Sequence, residues 1–119
     1  MKQRVLVTAG ASGIGREIVR AFAANGATVF VCDIDEEGLG RLAQEIPGLI
    51  TTVCDMANRQ DIGRMVARGV EAMGGLDVLV NNAGIAGPTV PVEAIDPDDW
   101  DKVVSINLTG TFDVTRLAI

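Results

Sequence analysis

The sequence predicts an α/β fold: a doubly wound parallel sheet of four strands with helices on both faces. Three observations predict it. Short apolar runs of strand length alternate with stretches of helical period along the whole chain, the pattern of a parallel sheet joined by crossover helices. The strand-like runs are apolar at nearly every position, as in Thr28–Asp33 (TVFVCD), which suits strands covered on both sides. The 14 glycines follow no collagen-like period, so they belong to turns and close backbone contacts.

Each element has its own signal. Arg4–Thr8 predicts the first strand. Gly13–Ala24 predicts a helix with Ile14, Ile18, Val19 and Phe22 on one face and Asn25-Gly26 as its stop. Thr28–Asp33 is the second strand. Asp35 is placed to cap a second helix that carries Leu39, Leu42 and Ile46 and ends at Pro47-Gly48; Gly38 and Gly40 weaken it. Leu49–Asp55 predicts the third strand. A third helix runs from about Asn58 to Met73, with Ile62, Met65, Val66, Val70 and Met73 facing inward and Gly74-Gly75 as its stop. Leu76–Asn81 predicts the fourth strand. A loop rich in Gly and Pro follows, from Ala83 to Ile95. Asp96-Pro97-Asp98-Asp99 then opens a fourth helix, with a cap residue, a proline in the first turn and carboxylates at the positive end of the dipole. That helix carries Trp100, Val103, Val104, Asn107 and Leu108, and helix-like sequence runs on to Ile119. No linker or repeat interrupts the pattern, so residues 1–119 read as one domain.

Bulk composition excludes several classes. With 119 residues, 48% of them hydrophobic, the chain can build a core. A net charge of −6 with 3% aromatic residues is a poor match for nucleic acid, where Lys and Arg must neutralise phosphates. No stretch approaches the ~18 apolar residues of a membrane helix, and the first residues pass straight into a strand without a signal-peptide pattern. The expectations are therefore no nucleic-acid partner, no membrane and a cytoplasmic location. Cys32 and Cys54 make no disulfide framework and, in a sequence without His, no metal site; they read as small buried hydrophobes.

The chemistry begins at Thr8-Ala9-Gly10-Ala11-Ser12-Gly13-Ile14-Gly15, between the first strand and the first helix. A dinucleotide needs a tight turn there, close backbone approach to its pyrophosphate and free N–H groups at a helix N-terminus, and glycines serve all three. A plain turn would use glycines too, but the strand–turn–helix setting favours the ligand. No Lys-Ser/Thr pair follows the last glycine, so it is not a Walker loop. Asp33 ends the second strand, where a carboxylate about 20 residues past the glycine loop hydrogen-bonds the adenosine ribose. A carboxylate repels a 2′-phosphate, and neither Ser12 nor Ile34 supplies a basic partner for one. The expected cofactor is NAD rather than NADP; the alternative is a solvated Asp at a strand end.

The glycine stretch resembles the T-G-x-x-x-G-x-G signature of short-chain dehydrogenases/reductases. Gly13 and Gly15 match its last two glycines, while Ala9 stands where the first is usual and Gly10 follows one place later. Asn81-Asn82-Ala83-Gly84, after the fourth strand, resembles the second signature of the same family. The resemblance implies a Rossmann-type sheet, here truncated, with strand order 3-2-1-4. It implies a phosphate turn at Gly10, Ser12, Gly13, Ile14 and Gly15, a ribose site at Asp33 and Ile34, and an adenine site at Asp55 and Met56. It implies that Asn82, Ala83 and Gly84 line the cofactor. Asp55 also reads as a plain turn residue.

Asn107, in Ile106-Asn107-Leu108-Thr109-Gly110, is locally unfavourable inside an apolar helix face. It resembles the helix Asn of the family's catalytic Asn-Ser-Tyr-Lys tetrad, which holds a water in a proton relay; the alternative is an Asn satisfied in a helix kink. Full members of the family continue with a fifth strand bearing the Ser and then Tyr-x-x-x-Lys, whereas this sequence contains no Tyr.

The leading expectation is thus the NAD-binding portion of an oxidoreductase. It would transfer hydride between NAD(H) and a small alcohol or ketone, and this stretch alone would be inactive. The loop Ile85–Ile95 would border the substrate. Other readings are a non-catalytic NAD-sensing or protein-interaction module, or a structural fragment that no longer binds cofactor. An open fourth strand is a template for pairing, and the family packs its corresponding helix at subunit interfaces, so a homo-oligomer is expected.

Overall fold

The structure, a computed structural model, describes residues 2–119. Its strands are β1 (Arg4–Thr8), β2 (Thr28–Asp33), β3 (Ile50–Val53) and β4 (Val78–Val80). Its helices are α1 (Gly13–Ala24), α2 (Glu36–Glu45), α3 (Arg59–Met73), α4 (Pro97–Val104) and α5 (Thr111–Ala118). A single 3-10 turn covers Val92–Ala94, and a π-helical segment, Ser105–Gly110, joins α4 to α5. All pairings are parallel, as the alternation of strands and helices predicts, and the sheet order is β3-β2-β1-β4, as the family resemblance implies.

Strand alternation sorts the core into two layers. Leu6, Phe30 and Cys32 point to one face, where they meet Ile62, Met65 and Val66 of α3 and Val114 of α5. Val5, Val7, Val29 and Val31 point to the other, against Val19 of α1 and Leu39 and Leu42 of α2. Fully burying one such side chain contributes about 1.5–3 kcal/mol. Gly69 in α3 lies against the Phe30 ring, where an added Cβ would come within 3.0 Å, so close packing outweighs glycine's poor helix propensity there.

Caps fix where the helices begin. Asp35 accepts from the Gly38 N–H at 3.0 Å, Asn58 from Asp61 N–H at 3.0 Å, and Asp96 from Asp98 N–H at 2.8 Å. Gly74 ends α3 in the left-handed conformation, φ 75°. Two inward assignments are corrected: Ile14 is 75% exposed and Val70 is 36% exposed. Ile46 lies just past the end of α2 but still packs on the core. β3 and β4 are shorter than their apolar runs, and the fourth helix is not continuous α-helix because of the π segment.

The π segment has a packing reason. Gly110, buried within it, brings the helix backbone up to the Met56 carbonyl, where a Cβ would stand 2.7 Å from that oxygen. One turn later, buried Asp113 receives the Arg59 guanidinium at 3.0 Å, tying α5 to the first turn of α3.

Candidate nucleotide-binding site

The carboxyl ends of the parallel strands converge on a cleft of about 690 Å³. In open α/β sheets this is where ligands bind. Of the residues assigned from the sequence, Ser12, Ile14, Asp33, Ile34, Asp55, Met56, Asn82, Ala83 and Gly84 all line it. Gly10, Gly13 and Gly15 do not, since they shape the turn behind it, and nor does Asn107, whose side chain is bonded to Ile85.

Each of these glycines has a separate cause. Gly10 packs against β2: its N–H donates to the Cys32 carbonyl at 3.2 Å, and a Cβ would collide with Val31 and reach 3.0 Å from Val19. Gly13 adopts φ +58°, which glycine takes without a steric penalty. Gly15 lets α1 lie directly on the preceding turn, since a Cβ there would collide with the Ala9 carbonyl and the Asn82 amide. Ala9 itself sits at φ 55°, so the turn keeps its left-handed residue although the side chain is not glycine.

Ser12 is the N-cap of α1, but its side chain caps nothing. The first intrahelical bond of the turn is Arg16 N–H to the Ser12 carbonyl, 3.2 Å. The amides of Gly13, Ile14 and Gly15 precede that bond, at the positive end of the helix dipole.

Asp33 stands at the end of β2 facing this turn. One carboxylate oxygen accepts the Ala11 N–H at 3.0 Å and the other accepts the Asp35 N–H at 2.9 Å. The carboxylate is thereby fixed between the glycine turn and the start of α2. Asp55 accepts the Ala57 N–H at 2.9 Å, so its turn-forming role is real and coexists with its place in the cleft wall. Cys32 and Cys54 are buried and free, Cys54 in the wall of the cleft, and hydrogen bonding with Cys54, followed by burial, pushes the Cys32 thiol far up from its ordinary value. Among the described residues no cluster of His, Cys, Asp or Glu could hold a metal ion.

The Asn motif is a structural clasp. Thr8, fully buried, accepts both the Asn82 and the Ala83 N–H through its hydroxyl at 3.0 Å. Asn82 donates its side-chain amide to the Ala9 carbonyl at 3.0 Å. Asn81 donates to the Thr115 hydroxyl at 3.0 Å, which anchors α5. Asn107 grips the next residues: its carboxamide accepts from Ile85 N–H and donates to the Ile85 carbonyl, both at 2.8 Å. Both polar atoms of that side chain are thus engaged by the loop backbone.

Sequence reasoning passed over several contributors. Thr8 carried a signal, a hydroxyl at the closing end of a buried strand, which must find partners. Ala9, Cys54, Lys102 and Ile106 also line the cleft. Nothing in the local sequence marks Lys102 and Ile106, because they reach the cleft only through the packing of the α4–π helix over it.

A parallel sheet with its glycine turn at a helix N-terminus, and a carboxylate at the next strand end, defines a nucleotide-binding α/β unit. The chain belongs to the short-chain dehydrogenase family, whose model, described as "short chain dehydrogenase", matches residues 3–119. It is 38% identical over 121 residues to 3beta-hydroxysteroid dehydrogenase 2 of Eggerthella lenta, covering 98% of this chain and 46% of that protein. Among solved structures it resembles actinorhodin polyketide ketoreductase with NADPH, with a TM-score of 0.93, 39% identity, and coverage of 98% of this chain and 46% of that one. It also resembles 3-ketoacyl-(acyl-carrier-protein) reductase from Brucella melitensis complexed with NADH, with a TM-score of 0.92, 32% identity, and coverage of 96% and 47%. The chain spans about half the length of the relatives it matches.

Proposed function

We propose that this chain is the NAD-binding part of an oxidoreductase that transfers hydride between NAD(H) and a small alcohol or ketone. The observation that carries the reading is the Asp33 carboxylate, fixed by two N–H groups in the wall of the cleft beside the phosphate turn. The residues suit a dinucleotide. The Gly13–Gly15 amides and the α1 dipole suit a diphosphate, and Asp33 suits a ribose diol. The cleft volume falls within the roughly 300–1,000 Å³ of small-molecule sites. Asp55 and Met56 would hold the adenine, and Asn82, Ala83 and Gly84 would present backbone to the cofactor. The nicotinamide group, when bound, supplies or takes up the hydride.

The chain's own work is binding and orientation. Asn107 would keep the segment from Gly84 to Ile85 in position through its paired bonds to Ile85, beside the place of a proton-relay water. The 119 residues contain no Tyr, so the acid/base of the family's Tyr-x-x-x-Lys motif is not among them. Among the described residues β4 pairs with β1 alone.

Kinship does not set the cofactor preference, since one similar structure carries NADPH and the other NADH. The preference for NAD follows from Asp33. Asp33→Asn keeps an oxygen for the Ala11 amide and removes the charge. Titration with both cofactors should show the NAD-over-NADP ratio falling about tenfold, equivalent to ~1.4 kcal/mol. An unchanged ratio rejects the ribose role of Asp33.

A further inference from the structure

We propose that Lys102 is a nucleotide-binding residue whose ammonium donates to a ring nitrogen of the adenine, an inference that rests on the dinucleotide reading above. The cleft is lined by two carboxylates, Asp33 and Asp55, and by one cation, Lys102. Among the described residues Lys102 takes part in none of the ion pairs, while seven arginines do. It is therefore a charge in a ligand-sized cleft with no engagement inside the chain.

Its position selects the base end. Four residues on, Ile106 packs with Met56 and Ala83 against the core, and Gly110 lies on the Met56 carbonyl. This face of the helix is thus fastened to the Asp55–Met56 turn. Lys102 stands about 6 Å further along the same helix, at 1.5 Å per residue, over the mouth of the base end. Its methylene stem can lie along the apolar wall made by Ile85 and Ile106 while the ammonium stays at the wet rim. Ser12 and Ile14 of the phosphate turn line the same cleft, with Asp33 held against that turn through the Ala11 N–H.

The chemistry is complementary. Adenine offers an amino donor beside ring-nitrogen acceptors. Asp55, an acceptor only, takes the amino group; Lys102, a donor only, takes the neighbouring ring nitrogen. A base with both edges matched also places the ribose against Asp33.

The test is an NMR titration of the chain, wild type and with Lys102→Met or Lys102→Arg, using NAD and, separately, adenosine. Lys102 is on the surface, so the substitutions leave the core untouched. Lys102→Met should weaken both ligands about five- to tenfold, and Lys102→Arg should stay within about twofold. Unchanged affinities for both ligands overturn the proposal. Loss for NAD with none for adenosine also overturns it, because the ammonium then addresses the diphosphate. A wild-type chain that binds neither ligand removes the dinucleotide reading itself, and the Lys102 proposal with it.

Discussion

Ala9 and Gly13 occupy the same backbone basin, φ 55° and φ 58°, on either side of the glycine turn, one with a side chain and one without. The left-handed conformation costs an L-residue roughly 1–2 kcal/mol. Glycine avoids that cost but gives up roughly 0.5–1 kcal/mol in chain entropy. The difference predicts opposite outcomes at the two positions. Ala9→Gly should stabilise the chain by about 0.5–1 kcal/mol. Gly13→Ala should destabilise it by about the same amount, because an added Cβ there meets nothing within 4 Å and only the torsion matters. At ~2.1 cal/mol/K per residue, 119 residues convert 1 kcal/mol into about 4 °C of Tm. Urea unfolding with a common m-value, together with thermal melts, measures both. If Ala9→Gly melts at or below the wild-type temperature while Gly13→Ala is neutral, torsional strain is not what distinguishes the two positions. The strained alanine lines the cleft, so the substitution should also loosen the glycine turn.

Two further outcomes follow from the ion pairs. Arg4 holds the Asp77 carboxyl down to about 2 through side-chain and backbone N–H bonds. The folded value is depressed, so this stabilisation is complete above the unfolded value of about 3.9 and is lost as pH falls towards about 2. Urea midpoints between pH 5 and 2 should fall less steeply for Asp77→Asn than for wild type, and identical slopes would remove Asp77 as a source of acid sensitivity. Arg59→Met leaves Asp113, 2% exposed, with only Arg116 at 4.0 Å. Because Arg59 is itself largely exposed, the expected loss is about 1–3 kcal/mol, below that of a fully buried pair, with faster amide exchange in α5; unchanged exchange there would show that the pair does not hold the helix.

The first three elements were legible to the residue because propensity, pattern and punctuation agree in them. Val5, Leu6 and Val7 are apolar on both faces, and Asn25-Gly26 stops a helix with a left-handed glycine. The last helix was not legible in this way. Its period lengthens from Ser105 to Gly110 because Gly110 must reach the Met56 carbonyl, a contact 54 residues away in sequence that no local pattern encodes. Ile14 misled because it fits the apolar stripe of α1 in a window, yet it stands at the helix start, beyond the sheet, where the stripe faces the cleft and not the core.

At the site, chemistry that depends on residue type alone could be read: a carboxylate closing β2, and glycines between a strand and a helix. What remained hidden is how the parts hold each other. Gly15 approaches Ala9 and Asn82 too closely for any side chain, and Asn82 bonds the Ala9 carbonyl while Thr8 takes the Asn82 and Ala83 amides. The glycine turn is therefore fastened to the end of β4, not only to its own strand. β4 has three residues and one hydrogen-bonded neighbour. The shape of the glycine turn thus depends on a strand that is paired over three residues.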